Sequence, residues 1–157
     1  MTLYEKAERT STKYGEENDC VVKALSIITG QSYERCHIFC QSHGRENLKG
    51  VNAYEIFRSA GLKLTPVKTK GFFNSKYINK LRRINKNKRY HITTKTDTDT
   101  FHSVAVVNGK TECFSKDQKH PIVFMDECDI SNTNLEISTN TNTGEDQGIA
   151  NLLKGIS

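Results

Sequence analysis

The spacing of apolar residues changes period near Gly61, and this change restricts the fold of the 157-residue chain more than any other feature. Before it, apolar side chains recur at helical spacing between glycine stops. The stretch from Asp19 to Thr29 predicts a helix ending at Gly30, a common C-terminal cap. Ser32 resembles an N-cap for a second helix, Tyr33 to His43, which carries Tyr33, Cys36, Phe39 and Cys40 on its apolar positions and ends at Gly44. The run Asn52-Ala53-Tyr54-Glu55 has capping-box form and opens a third, Ala53 to Ala60.

After Gly61 the pattern alternates. Leu62 to Val67 reads as an edge strand, because Pro66 has no N–H to give a ladder. Asn74 or Ser75 caps a small basic helix through Tyr77, Ile78, Leu81 and Ile84. Arg89 to Thr94 predicts a strand, and Lys95 to Thr100 a polar loop. His102 to Val107 and Lys110 to Phe114 then form a hairpin about Asn108-Gly109, the strongest short-range hairpin signal. Pro121 to Asp126 supplies a further strand. Helices first and antiparallel strands second predict an α+β fold.

Only 35% of the residues are hydrophobic and the mean hydropathy is −0.63, so part of the chain is expected outside the core. The polar, turn-prone tracts lie at the end. Residues 1–130 are read as one domain and 131–157 as a polar flexible tail, with a short amphipathic segment from Ile149 to Ile156. Met1 to Lys6 lacks the apolar run of a signal peptide, and no stretch approaches the roughly 20 apolar residues of a membrane span. Five cysteines, an odd number with no scaffold spacing, fit reduced thiols in a cytoplasm. Cys36, Cys40, His37 and His43 do not make a familiar zinc-ligand spacing, so neither a metal nor a cofactor is expected.

Charge is uneven along the chain. From Lys76 to Arg89 there are seven basic residues and no acid, whereas from Asp126 onward six acids face Lys154 alone. The basic run is either a solvated face or a surface for an acidic protein partner, with Lys80, Arg82, Arg83 and Lys86 as its candidate contacts. Tyr77 and Tyr90 flank it without a stacking motif or a groove-reading helix. Nucleic acid is therefore the weaker partner.

Asn18-Asp19-Cys20 runs straight into the first apolar helix, which puts a cysteine in its first turn. Backbone N–H groups there lack intrahelical partners, and the helix dipole favours negative charge. A thiol so placed has a lowered pKa and is a usable nucleophile near neutral pH. His102 opens a later strand. Cysteine and histidine are each common core residues. Here their order and local contexts are those that nucleophilic catalysis by a thiol requires.

Three pieces, Asn18 to Tyr33, Gly50 to Gly61 and Phe101 to Lys110, resemble the papain-like cysteine peptidases. The likeness is to their compact form, met in phage and bacterial proteins and in bacteriocin-processing peptidase domains. It implies a nucleophile helix in an N-terminal helical half, followed by an antiparallel sheet. Cys20 is then the nucleophile and His102 the base that takes its proton and returns it to the leaving group. The oxyanion falls to the Cys20 N–H and a second donor. The family often supplies that donor from a glutamine six residues before the cysteine, where this chain has Tyr14. Asn18 is the nearest amide and takes its place.

Relatives place an Asp or Asn on the strand paired with the histidine strand. A two-residue hairpin turn sets His102 opposite Ser115 and turns Glu112 away, whereas a three-residue turn with a bulge brings Glu112 round. Glu112 is the chosen third member, Asp117 the second candidate, and a Cys-His dyad the remaining case. The expected function is that of a cytoplasmic cysteine peptidase or isopeptidase of phage type, acting on a protein or peptide, a host protein among the candidates. A glutamine deamidase or an acyltransferase uses the same pair. The rival from another class is a non-catalytic protein of this fold that binds and inhibits a host protein.

Overall fold

The computed structural model describes residues 3–13, 15–16, 18–68, 84–111 and 120–137. Four helices are found among them: α1 (Leu3–Lys13), α2 (Cys20–Thr29), α3 (Tyr33–Ser42) and α4 (Ala53–Ser59). The strands are β1 (Lys63–Pro66), β2 (Arg89–Lys95), β3 (Phe101–Val107), β4 (Lys110–Thr111) and β5 (Ile122–Asp129). They form one sheet in the order β1-β5-β2-β3-β4, with every pairing antiparallel. The α+β class is thus found.

Local chemistry sets the helix boundaries. Gly30 takes the left-handed conformation (φ 73°) that ends α2, and its N–H donates to Ser26 O at 2.9 Å. The Ser32 hydroxyl accepts the Arg35 N–H at the start of α3, and Asn52 Oδ1 accepts the Glu55 N–H at the start of α4. α1 has no counterpart in the sequence reading. Ala7 and Ser11 are buried, and the helix is tied to α2 by a 2.5 Å ion pair between Glu8 and Lys23.

α2 is apolar nearly all round and sits in the middle of the helical layer, burying Val21, Val22, Ala24, Leu25, Ile27 and Ile28. One face of the sheet offers Ala105, Val107 and Cys128 to this layer. The opposite face carries a second cluster of Tyr90, Ile92, Val104, Val106 and Met125, with Val67, Ile84 and Ile122 packed against it. β2 and β3 are therefore covered on both faces, and five consecutive residues of each are buried. The Arg89 guanidinium donates to Ile28 O at 2.5 Å, binding the C-terminal end of α2 to β2. β1 lies at the sheet edge and contains Pro66, as expected.

Asn108 (φ 58°) and Gly109 (φ 73°) make the two-residue turn between β3 and β4, with Val107 opposite Lys110. The three-residue bulged turn is not the one formed. β5 runs to Asp129, beyond the expected end at Asp126. The chain then returns to the core: Leu135 is buried, and the Asn134 N–H donates to Ala60 O at 2.7 Å. The packed chain thus passes residue 130, where the sequence places the start of a polar tail. Gly61 (φ 85°) meets this return so closely that a β-carbon there would lie 2.2 Å from Asn132 O. The helix read between Asn74 and Ile84 and the segment Ile149 to Ile156 fall largely or wholly outside the described residues.

Candidate active site

Cys20 is the first residue of α2 and His102 the second of β3. α2 lies along β3, and the two meet at this end: the Cys20 sulfur is hydrogen-bonded by the His102 side chain and by the Ser103 backbone N–H. Burial works against a thiolate here and the neighbouring Asp19 carboxylate does too. The His102 hydrogen bond and charge, with the Ser103 N–H, outweigh them, and the thiol lies below its ordinary value. Burial pushes the other described thiols the opposite way, Cys40 and Cys128 up to about 12 and Cys36 upward as well. All four are free. Among the described cysteines only Cys20 combines partial exposure with a lowered pKa.

The turn before the nucleophile is held from several sides. Asn18 is left-handed (φ 52°), and its side-chain amide donates to Leu48 O at 2.9 Å. The amide proposed for the oxyanion is thus engaged with that carbonyl through one of its hydrogens. Asp19 is buried and does not cap its own helix; its carboxylate accepts the Tyr33 hydroxyl at 2.6 Å and pairs with Lys23 at 3.3 Å. Just upstream, the Glu16 carboxylate takes the His37 ring at 2.5 Å, both terminal nitrogens of Arg45 at 3.0 Å, and the Leu48 N–H at 2.7 Å. Burial alone would raise this carboxyl, but the hydrogen bonds from Arg45, His37 and Leu48 hold it down to about 2.

A second polar group lies close to the pair on β2. His91 is fully buried between the Phe57 and Tyr54 rings, which meet it edge-on at 4.7 and 6.0 Å. Neither of its ring nitrogens has a hydrogen-bond partner among the described residues. Burial, with a smaller contribution from the charge of His102, pushes its pKa down to about 3, so the ring is neutral. Asp126, opposite His91 on β5, accepts the Tyr54 hydroxyl at 2.5 Å. Burial and that carboxylate push the phenol up to about 12.

The sequence singled out Cys20 and His102, and the structure brings these two together. Glu112, Asp117 and Tyr14 lie outside the described residues, as do Lys80, Arg82 and Arg83. Lys86 is described and exposed, its stem beside Gly109 at the hairpin turn. At the end of the basic run Lys88 pairs with Glu127 at 3.0 Å and Arg89 with Ile28 O. Sequence reasoning missed Ser103, whose contribution is a backbone N–H and leaves no mark on residue type. It also passed over His91, one polar residue among several in β2, whose burial depends on the α4 rings packed against it. Among the described residues no group of three His, Cys, Asp or Glu side chains is arranged to hold a metal ion, and no helix is long and apolar enough to cross a membrane. Comparison with protein-family models, with curated proteins and with solved structures found no match.

Proposed function

We propose that this protein is a thiol-dependent acyl-transfer enzyme, a papain-like cysteine peptidase or isopeptidase that cleaves a protein amide bond. One observation supports the reading above others: a cysteine at a helix N-terminus shares a hydrogen bond with a histidine at the start of a strand, and its thiol is lowered by that contact. The Cys20 sulfur adds to the carbonyl carbon while its proton passes to His102. Collapse of the oxyanion breaks the C–N bond, and His102 gives the proton to the departing amine. Water, deprotonated by His102, then adds to the thioester; the C–S bond breaks and the acid leaves. A glutamine side chain obeys the same steps with ammonia departing, and an amine in place of water completes an acyl transfer. Four free thiols among the described residues, one of them the nucleophile, suit a reducing compartment such as a cytoplasm.

Alkylation by iodoacetamide at graded pH, read by mass spectrometry, tests this without a known substrate. Cys20 is expected to react with a midpoint below the ~8.5 of a free thiol. Cys36, Cys40 and Cys128 should stay unlabelled in the folded protein. His102→Ala should move the Cys20 midpoint upward, because the hydrogen bond and charge that lower it are gone. An ordinary midpoint in the unaltered protein would overturn the reading. Where a substrate is cleaved, Cys20→Ala and His102→Ala should each abolish turnover, and the double variant should be scarcely worse than either, because the two act as one unit.

A further inference from the structure

Asp19 precedes α2 as Ser32 precedes α3 and Asn52 precedes α4, and aspartate is as good an N-cap as either. Ser32 and Asn52 have extended backbones (ψ 150° and 115°), and the side chain of each accepts an N–H of its own helix. Asp19 departs from both. Its ψ is 24°, and its carboxylate makes no capping hydrogen bond to α2. Negative charge is favoured at that end of a helix, so local chemistry alone would bring the carboxylate there.

Tertiary contacts hold it elsewhere. One carboxylate oxygen accepts the Tyr33 hydroxyl of α3 at 2.6 Å, and the other pairs with the Lys23 ammonium, one turn along α2, at 3.3 Å. Each holder is fixed in turn. The Ser11 hydroxyl of α1 donates to the Tyr33 oxygen, and Glu8 pairs with Lys23 at 2.5 Å. Asp19, Tyr33 and Ser11 are all buried. The consequence falls one residue away, at the nucleophile. The first-turn N–H groups of α2, that of Cys20 among them, have no intrahelical carbonyl to bond and no cap from the Asp19 side chain. They are left for another anion, which in acyl transfer is the oxygen of the tetrahedral intermediate. A capping carboxylate would take these donors and set its charge against both thiolate and oxyanion. Even from its present place the Asp19 charge works against the thiolate.

We propose that Tyr33 and Lys23 are positioning residues: by holding the Asp19 carboxylate away from the N-terminus of α2, they keep its N–H groups open to the oxyanion formed when Cys20 attacks. Neither residue touches the reacting atoms; both act through Asp19. The inference rests on the cysteine-peptidase reading, and its test separates the two.

The test compares two reagents at Cys20. p-Nitrophenyl acetate reacts through an oxyanion: the sulfur adds to the carbonyl carbon, its proton passes to His102, and the C–O bond breaks to release p-nitrophenolate. Iodoacetamide alkylates the same sulfur by displacing iodide and forms no oxyanion. Acetylation is read as p-nitrophenolate release less that of Cys20→Ala, and alkylation by mass spectrometry. Both are taken on the pH plateau where the thiol is fully ionised, so their ratio reports the oxyanion site and not the thiolate fraction. Tyr33→Phe and Lys23→Met should each lower the acetylation-to-alkylation ratio roughly 10-fold or more, the direction expected when oxyanion donors are occupied. Lys23→Arg keeps the charge and should keep the ratio. Adding Asp19→Ala to Tyr33→Phe should restore it, because no carboxylate remains to cap the helix; a purely structural loss would not be restored. Circular dichroism checks that each variant is folded, and Tyr33→Phe, which loses a single oxygen, decides the matter should Lys23→Met not fold. An unchanged ratio in either folded variant, or a lowered one that Asp19→Ala leaves low, overturns the positioning role while a lowered iodoacetamide midpoint for Cys20 keeps the enzyme reading. An ordinary iodoacetamide midpoint in the unaltered protein overturns both.

Discussion

At the scale of single residues, the two buried histidines show how environment separates like side chains. His37 is hydrogen-bonded to Glu16, whereas His91 has two unpartnered nitrogens in an aromatic cage. Protonating His91 in the folded protein places a charge where nothing solvates it. Its pKa falls from the ordinary 6.5 to about 3, a difference of roughly 5 kcal/mol. The sign follows from linkage. The unfolded chain takes up a proton as pH falls through 6.5, the folded one holds off until about 3, and stability is lost across that window. Urea unfolding of the unaltered protein between pH 7 and 4 should therefore show ΔG falling with acid. His91→Leu should flatten the slope by up to about 1.4 kcal/mol per pH unit. Equal slopes would mean that the ring is solvated or paired in the folded state.

Elements were legible where local chemistry decides them. Gly30, Ser32 and Asn52 sit at helix ends whose caps involve residues three or four positions away, and all three are found in those roles. Asn108-Gly109 likewise fixes its own turn. α1 was not read from the sequence; the ion pair of Glu8 with Lys23 that ties it to α2 is a contact between elements. β5 was read only as far as Asp126; the acids Glu127 and Asp129 beyond it belong to the strand through pairing with Thr65, Tyr90 and Lys63, residues distant in sequence. The candidate site divides along the same line. Cys20 and His102 were legible from residue type and order, while the Ser103 N–H, the Tyr33–Asp19 bond and the Glu16 cluster depend on tertiary placement. The Tyr33 hydroxyl joins α3 to the residue before α2, with both partners buried. Tyr33→Phe leaves Asp19 one hydrogen bond short and should cost about 1–3 kcal/mol. A lowered urea midpoint with an unchanged m-value would show it, and an unchanged midpoint would return this bond to a neutral role.

Across the whole molecule, one carboxylate closes the N-terminal half. Glu16 lies between α1 and α2; its partners are on α3 and in the segment after it, and Leu48 of that segment also accepts the Asn18 amide. The turn that carries Cys20 is therefore braced by a buried ion pair rather than by apolar packing alone. Such pairs gain little over a well-packed apolar substitute, yet breaking one from a single side is costly, because the partner charge stays buried. Glu16→Gln should lower stability by roughly 3–5 kcal/mol, with Arg45 left without its counter-charge. The double variant Glu16→Gln/Arg45→Met should lose less than the two single losses added together, since one buried charge no longer opposes the other's removal. Acid acts on the same carboxyl. Because its pKa is lowered from 4.5 to about 2, the stability it supplies is present above 4.5 and is lost as pH falls toward 2, below most of the His91 window. Urea unfolding at pH 7 and at pH 3 separates the two effects: the deficit of Glu16→Gln should be largest at pH 7 and shrink at pH 3. A deficit that is the same at both pH values would mean that Glu16 contributes shape to this brace and not charge.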